Sequence, residues 1–293
     1  MNNAGKISLT PEISIVIGTL NRPNVVLSLI KQLKEKSKKI QLEVIVVDQS
    51  LQTNSIKLRK HFPKQSNFRF YHLDTPNTCQ YLNLGLREAK APIILYLDDD
   101  VSISEGTVKA HIDTYKNPSI HGVAGRVINE GEKINRSETR VGKILWYGAI
   151  FIKNFSLITQ MYVDFPYGCN MSFRKKTLEK IGGFDERLLP PVYAFNEIDL
   201  SYRINKHGKN SILFEPNALV HHYQSSQGGT RNNFTARKVF HSNQFNYGYF
   251  LGKNFTWGEN AICFMRRFLY QLMNEPYAIP AILEGFIYAK KHI

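Results

Sequence analysis

The first half of the chain alternates short apolar runs with longer amphipathic stretches. Residues 13–17 (Ile-Ser-Ile-Val-Ile) form a β-branched run between Thr10-Pro11 and Gly18-Thr19, the pattern of a strand buried in a parallel sheet. Asn21-Arg22-Pro23 opens a helix, with proline in its first turn and Val26, Leu29, Ile30 and Leu33 on one face. Residues 44–47 and 68–73 predict two further strands around a helical stretch at 54–61. Residues 79–90 predict a helix faced by Leu82, Leu86 and Ala89, and 93–97 a strand running into Asp98-Asp99-Asp100. Such β-α-β units predict an α/β, Rossmann-like, mostly parallel sheet with helices on both faces.

The second half is less regular. A helix is expected at 104–115, a strand at 122–127, a polar loop at 129–140 and a short helix at 175–180 ahead of Gly182-Gly183. Residues 197–207 predict a helix and 218–223 a strand, and beyond Gly228-Gly229 two long, aromatic-rich, helix-prone stretches follow. With no internal repeat or linker, the simplest division is one domain over 1–231 and a helical C-terminal extension over 232–293.

Composition narrows the class. At 293 residues and 43% hydrophobic, the chain can bury a large core. Its polar opening, the shortness of every apolar run and three cysteines without metal-ligand spacing lead us to expect a reducing cytoplasm. The net charge of +14 suits phosphorylated substrates or an anionic membrane surface. No zinc-finger or RNA-recognition signature accompanies it, so no nucleic-acid partner is expected.

Ligands of open α/β sheets sit beyond the carboxyl ends of the strands. Thr19 and Asn21, Asp48, and the aspartate triplet all fall at such ends. Three adjacent carboxylates repel one another unless a cation neutralises them. In an extended backbone Asp98 and Asp100 face one way and Asp99 the other. Two oxygen ligands with positions left for phosphate suit Mg²⁺ or Mn²⁺. No P-loop and no Gly-x-Gly-x-x-Gly follows the first strand, so a carboxylate-held metal takes over the gripping of a diphosphate.

These residues resemble the family 2 glycosyltransferases of the GT-A fold, over about residues 11–231. Residues 13–22 look like that family's first strand and donor loop, ending in Arg22. Val46-Val47-Asp48-Gln49-Ser50 resembles its base-recognition strand end, and Tyr96-Leu97-Asp98-Asp99-Asp100 its Asp-x-Asp motif. Gly168-Cys169-Asn170-Met171-Ser172-Phe173-Arg174 and Gly182-Gly183-Phe184-Asp185-Glu186 resemble the acceptor border. Phe195 to Arg203 resembles the Glu-Asp-x-Asp-Leu helix start, and His222, after His221, a metal-binding histidine.

The resemblance implies a donor half over about 11–127 and an acceptor half over 128–231. It implies donor contacts from Thr19, Asn21, Arg22, Asp48, Asn83, Asp98 and Asp99, and acceptor contacts from Gly168, Asn170 and Asp185. It also implies a metal on Asp98, Asp100 and His222, with His221 as the alternative. Two departures stand out. Asn196-Glu197 replaces the usual Glu-Asp pair, and Leu82 stands where relatives often carry arginine, leaving Arg231 as the candidate for the donor phosphates. The Gln-x-x-Arg-Trp motif of processive synthases is absent, which favours single sugar addition.

The implied chemistry is one inverting displacement from a nucleotide-diphosphate sugar onto a glycan or lipid-linked hydroxyl, in bacterial cell-surface polysaccharide or glycolipid synthesis. The metal stabilises the departing diphosphate and a carboxylate takes the hydroxyl proton. Asn196 as a helix cap and Asp199 as its capping-box partner and Arg203's ion pair leave Glu197 without a structural duty. Glu197 is therefore the expected base, with Asp199 second. A sugar-1-phosphate nucleotidyltransferase would carry a Gly-rich basic loop after the first strand, which Gly18-Thr19-Leu20-Asn21 is not. A non-catalytic nucleotide-sugar-binding module would not require the triplet, the base and the histidine together. Finally, Phe264, Phe268, Leu269 and Leu272 beside Arg266 and Arg267, and Phe286, Ile287 and Tyr288 before Lys290, Lys291 and His292, suit either core packing or peripheral contact with the inner membrane face.

Overall fold

The computed structural model describes residues 10–293 apart from 134–138, 146–147, 192, 207, 209, 225–228, 230–234 and 275. Its elements are β1 (Ile13–Thr19), α1 (Pro23–Lys36), β2 (Leu42–Asp48), α2 (Gln52–His61), β3 (Phe68–His72), α3 (Thr78–Glu88), β4 (Ile93–Asp98), β5 (Val101–Ile103), α4 (Thr107–Thr114) and β6 (Gly122–Asn129). There follow β7 (Lys143–Ile144), β8 (Ile150–Phe151), β9 (Met161–Tyr162), β10 (Asn170–Arg174), α5 (Lys175–Lys180), α6 (Asn196–Asn205) and β11 (Ile212–His222). The chain ends on α7 (Ala236–Asn254), α8 (Trp257–Asn274) and α9 (Ile279–His292).

One sheet, in the order β3-β2-β1-β4-β10-β6-β11-β5, forms the centre. Its β3-β2-β1-β4 half is parallel throughout, and β6 and β11 are parallel to each other. Antiparallel β10 lies between the two groups. The apolar side chains of β1, β2 and β4 are buried, apart from half-buried Leu42 at the start of β2, as a sheet covered on both faces requires. In α1 the residues expected on one face, Val26, Leu29, Ile30 and Leu33, are the buried ones.

β5, β10 and the two-residue strands β7, β8 and β9 were not read from the sequence, and the first two matter for the site. β10 falls in the stretch that resembled an acceptor border, and β5 follows the aspartate triplet by a single step. β11 is also longer than expected, because its two halves pair with β6 across a register irregularity between Glu215 and Leu219. That irregularity accommodates Pro216, which lacks the ladder N–H.

The C-terminal helices close onto α6. Phe250 of α7 packs against Phe195 and Tyr202 at 5.7 and 5.6 Å between ring centroids. α7 and α9 meet backbone to backbone: a Cβ on Gly248 would lie 1.9 Å from the Ile282 carbonyl oxygen, and one on Gly285 2.0 Å from that of Phe245. Only glycine permits this approach.

Candidate active site

The carboxyl ends of β1, β2, β4, β6 and β11 share one edge with the start of the reversed β10. There a cleft of about 440 Å³ is lined by Thr19, Arg22, Gln49, Tyr81, Asp98 to Asp100, Gly168, Cys169, Glu197 and His222, among others. Such a volume lies in the range of small-molecule sites.

Strand pairing explains the convergence. β5 pairs antiparallel with the end of β11, setting His222 opposite Val101, and the Tyr223 N–H donates to the Asp100 carbonyl at 3.0 Å. His222 Nε2 therefore lies 3.3 Å from Asp100 Oδ1 and 3.9 Å from Asp98 Oδ2. β10 pairs Asn170 with Leu97, so the Asp98 N–H reaches the Cys169 carbonyl at 3.3 Å. Ligand atoms of Asp98, Cys169 and His222 consequently lie within 4.8 Å of one another. His221 points to the opposite, exposed side of β11, as strand alternation requires.

Polar contacts behind the ring fix this histidine. Its Nδ1 is 3.0 Å from Asn129 Oδ1, while the Asn129 amide nitrogen donates to Glu132 at 2.9 Å. Nε2 is thereby aimed at the two carboxylates. One imidazole nitrogen and two carboxylates that converge in this way form a donor set that fits a divalent metal ion.

Asp99 is directed elsewhere. It accepts from Thr19 Oγ1 at 2.6 Å and from Arg22 Nη1 at 2.9 Å, and the same guanidinium nitrogen reaches Asp100 Oδ2 at 3.0 Å. Burial raises the Asp99 carboxyl to about 6, against the lowering effect of Thr19 and Arg22. Asp48 Oδ1 accepts from the Ser50 amide and hydroxyl at 3.1 and 2.6 Å, whereas its buried Oδ2 has no hydrogen-bond partner among the described residues. Exposed Asn21 holds a left-handed φ of 57° and donates its N–H to Ser50 Oγ. Glu197 lies in the first turn of α6 at the cleft, next to Gly168, where an added Cβ would make ordinary contact with its carboxyl at 3.9 Å.

Several expected site residues have structural work instead. Asn83 donates to the Phe184 carbonyl and to Glu186 and accepts from the Phe184 N–H, tying α3 to the loop after α5. Asn170 is fully buried and bridges Arg126, Ala218 and His111 across the sheet. Asp185 is bound by Arg187, Lys253 and the Tyr249 hydroxyl. Burial pushes its carboxyl up, but these donors prevail and hold it well below the usual carboxylate range. Asp199 is 1% exposed and enclosed by Arg203, Lys253 and Asn254, so its hydrogen-bonding capacity is spent inside the fold.

Asn196 is not the cap: Phe195, at φ 76°, precedes the helix, and the Asn196 amide donates to the Tyr193 carbonyl. Arg231 lies outside the described residues. Cys169 and Asn129 were missed, since cysteine spacing and loop composition do not report strand pairing.

The sequence profile described as "Glycosyl transferase family 2" matches residues 14–182, which contain every strand of the parallel half and the aspartate triplet. The chain belongs to glycosyl transferase family 2. Family relatives include the pre-mycofactocin glycosyltransferase of Mycobacterium tuberculosis, 24% identical over 161 residues, 54% of this chain and 32% of that protein. Another is the O-antigen biosynthesis protein RfbC of Myxococcus xanthus, 19% identical over 232 residues, 74% of this chain and 18% of that one. The chain thus spans about a third of the length of the first relative and about a fifth of the second.

The fold is shared with GalNAc-T7, whose crystal structure holds UDP, GalNAc and Mn²⁺: TM-score 0.66 and 15% identity, over 94% of this chain and 54% of that one. It is shared too with residues 1–349 of Staphylococcus aureus TarS in complex with UDP-GlcNAc: TM-score 0.64 and 14% identity, over 95% and 81%. The α/β, GT-A-like architecture expected from the sequence is the one observed.

Proposed function

We propose that this chain moves one sugar from a nucleoside-diphosphate sugar to an acceptor hydroxyl, with inversion, in the synthesis of a bacterial cell-surface polysaccharide or glycolipid. The observation that carries the reading is His222 Nε2 facing the Asp98 and Asp100 carboxylates at one end of a cleft that Glu197 also lines. Asp98, Asp100 and His222 would hold Mg²⁺ or Mn²⁺, and when bound the ion offsets the charge that grows on the departing diphosphate.

The chain's own groups do the rest. Arg22 brings a second positive charge beside Asp99 and Asp100, suited to donor phosphate oxygens near Thr19 and Asn21. The orphan Asp48 Oδ2 suits an N–H of the nucleobase, since an unpaired buried oxygen is costly until it finds a donor. Glu197 takes the proton of the attacking hydroxyl as general base from the cleft wall that it shares with Gly168. UDP-GlcNAc and UDP-GalNAc are the first donors to test, because the fold's solved relatives hold UDP with GalNAc or UDP-GlcNAc.

Peripheral contact with an anionic membrane is part of the same proposal. α8 exposes Ile262, Met265, Leu269 and Met273 along one face beside Arg266, while its buried Cys263 faces the fold. α9 adds exposed Ile287 ahead of Lys290 and Lys291. An apolar stripe with cations suits a helix lying in a lipid interface. Among the described residues no helix is long and apolar enough to cross a membrane.

The deciding experiment measures sugar transfer from UDP-sugars in Mg²⁺, Mn²⁺ and EDTA, for the wild type and Asp100→Asn. Transfer that needs the ion and is lost in a folded Asp100→Asn protein supports the reading. Undiminished turnover of Asp100→Asn refutes the metal assignment.

A further inference from the structure

The cleft carries a thiol that hard-metal chemistry does not call for. Cys169 is 3% exposed, lines the cleft, and presents Sγ within 4.8 Å of ligand atoms on both Asp98 and His222. Two features hold it there: its carbonyl receives the Asp98 N–H, and β10 continues from it alongside β4, while His222 is held separately by β5 and by Asn129. The sulfur therefore sits in the turn that opens β10, tied by its own backbone to the end of β4.

We infer that Asp98, Cys169 and His222 form a mixed oxygen, sulfur and nitrogen site that takes a thiophilic divalent ion such as Zn²⁺ or Cd²⁺. This rests on reading that end of the cleft as a cation site. It goes further by giving the cleft a second metal preference, because thiolate ligands select softer ions than carboxylates do. A carboxylate, a thiolate and an imidazole are three ligands of a tetrahedral zinc site, and the fourth position stays open toward the cleft.

Ligand atoms about 2.0–2.3 Å from a tetrahedral ion stand roughly 3.3–3.8 Å from each other. His222 Nε2 and Asp98 Oδ2 are already 3.9 Å apart, so only small side-chain rotations are required. As the sulfur–metal bond forms, the thiol proton passes to solvent and no electrons are transferred. A soft ion so bound excludes Mg²⁺ or Mn²⁺ from Asp98 and His222, and the site becomes a point of inhibition by zinc-class ions.

The test titrates CdCl₂ and MnCl₂ into the full chain, each alone and with UDP. Cd²⁺ is read by the ultraviolet thiolate-to-cadmium charge-transfer band and Mn²⁺ by loss of the free-ion electron paramagnetic resonance signal. Wild type should show the band. Cys169→Ser and Cys169→Ala should lose it and weaken Cd²⁺ binding by at least about tenfold while keeping Mn²⁺ affinity. Mn²⁺ binding without any cysteine-dependent band overturns this inference and leaves the hard-metal reading standing. A band that survives in both variants belongs to Cys79 or Cys263 and overturns it equally. Failure of both ions to bind, with or without UDP, overturns the cation site itself.

Discussion

Replacing Lys253 with methionine removes the cation that joins the C-terminal helices to the two segments beside Glu197. Lys253 Nζ lies 2.7 Å from Asp185 Oδ2 and 2.8 Å from Asp199 Oδ2, and the two carboxylates are 5% and 1% exposed at the side chain. Loss of one partner from a buried ion pair costs about 3–5 kcal/mol, because the remaining charge stays desolvated. Here Arg187, Tyr249, Arg203 and Asn254 still donate to the two aspartates, which places the expectation near the lower bound, about 3 kcal/mol. In a chain of this size that is a fall in Tm of about 6–12 °C, read by scanning calorimetry and checked by urea titration. The loss should also depend on pH. Asp185 has a depressed folded pKa, so its contribution is complete above the unfolded value near 3.9 and fades as pH falls below it. The gap between wild type and Lys253→Met should therefore hold at neutral pH and narrow only below about pH 4. A destabilisation under about 1 kcal/mol at pH 7 would refute the argument that this lysine clamps the fold.

Glu197→Gln should lower kcat by at least about 100-fold while donor affinity, measured by calorimetric titration, barely moves; weakened donor binding with normal turnover would remove Glu197 from the role of base. Fully buried His111, bonded to Ser172 and Asn170, has its pKa pushed down to about 4 by burial. The unfolded chain takes up that proton first, so stability should fall as pH drops from about 6.5 toward 4, and His111→Gln should flatten that slope in pH-dependent urea melts. Binding to vesicles should require anionic lipid, weaken with salt and drop when Arg266, Lys290 and Lys291 are neutralised; equal recovery in the supernatant with and without such vesicles would sink the membrane proposal.

The parallel half of the sheet was readable because its inner strands β1 and β4, and β2 beside them, are buried on both faces, which leaves apolar-rich runs such as residues 44–47. The amphipathic face of α1 was equally plain. β5 escaped notice because three residues after an acidic turn acquire strand character only by pairing with β11. β10 escaped although Met171 and Phe173 alternate with polar residues, because five residues are too short a window to separate a strand from a loop. Among the candidate site residues, Asp98, Asp100 and His222 stand out by type and by their place at strand ends, and strand pairing brings them together. Asn83, Asn170 and Asp185 were not separable from ligand-binding residues, since a polar side chain reads the same whether its partner is a substrate or a distant carbonyl. Of the partners of Asp185 and Asp199, Tyr249, Lys253 and Asn254 come from α7, which the sequence set apart as an extension.

Four steps along β11, from Glu215 to Leu219, answer a single step along β6, from Gly125 to Arg126. Side chains alternate along a strand with a period of two, so in an unbroken strand Leu219 would return to the face of Glu215, whereas the irregularity at 216–218 sets it on the other. Drawn into regular strand at its present length, the segment would turn His221 toward Asp98 and Asp100 and His222 toward the exposed side. A three-residue interruption thus decides which of two neighbouring histidines meets the aspartates.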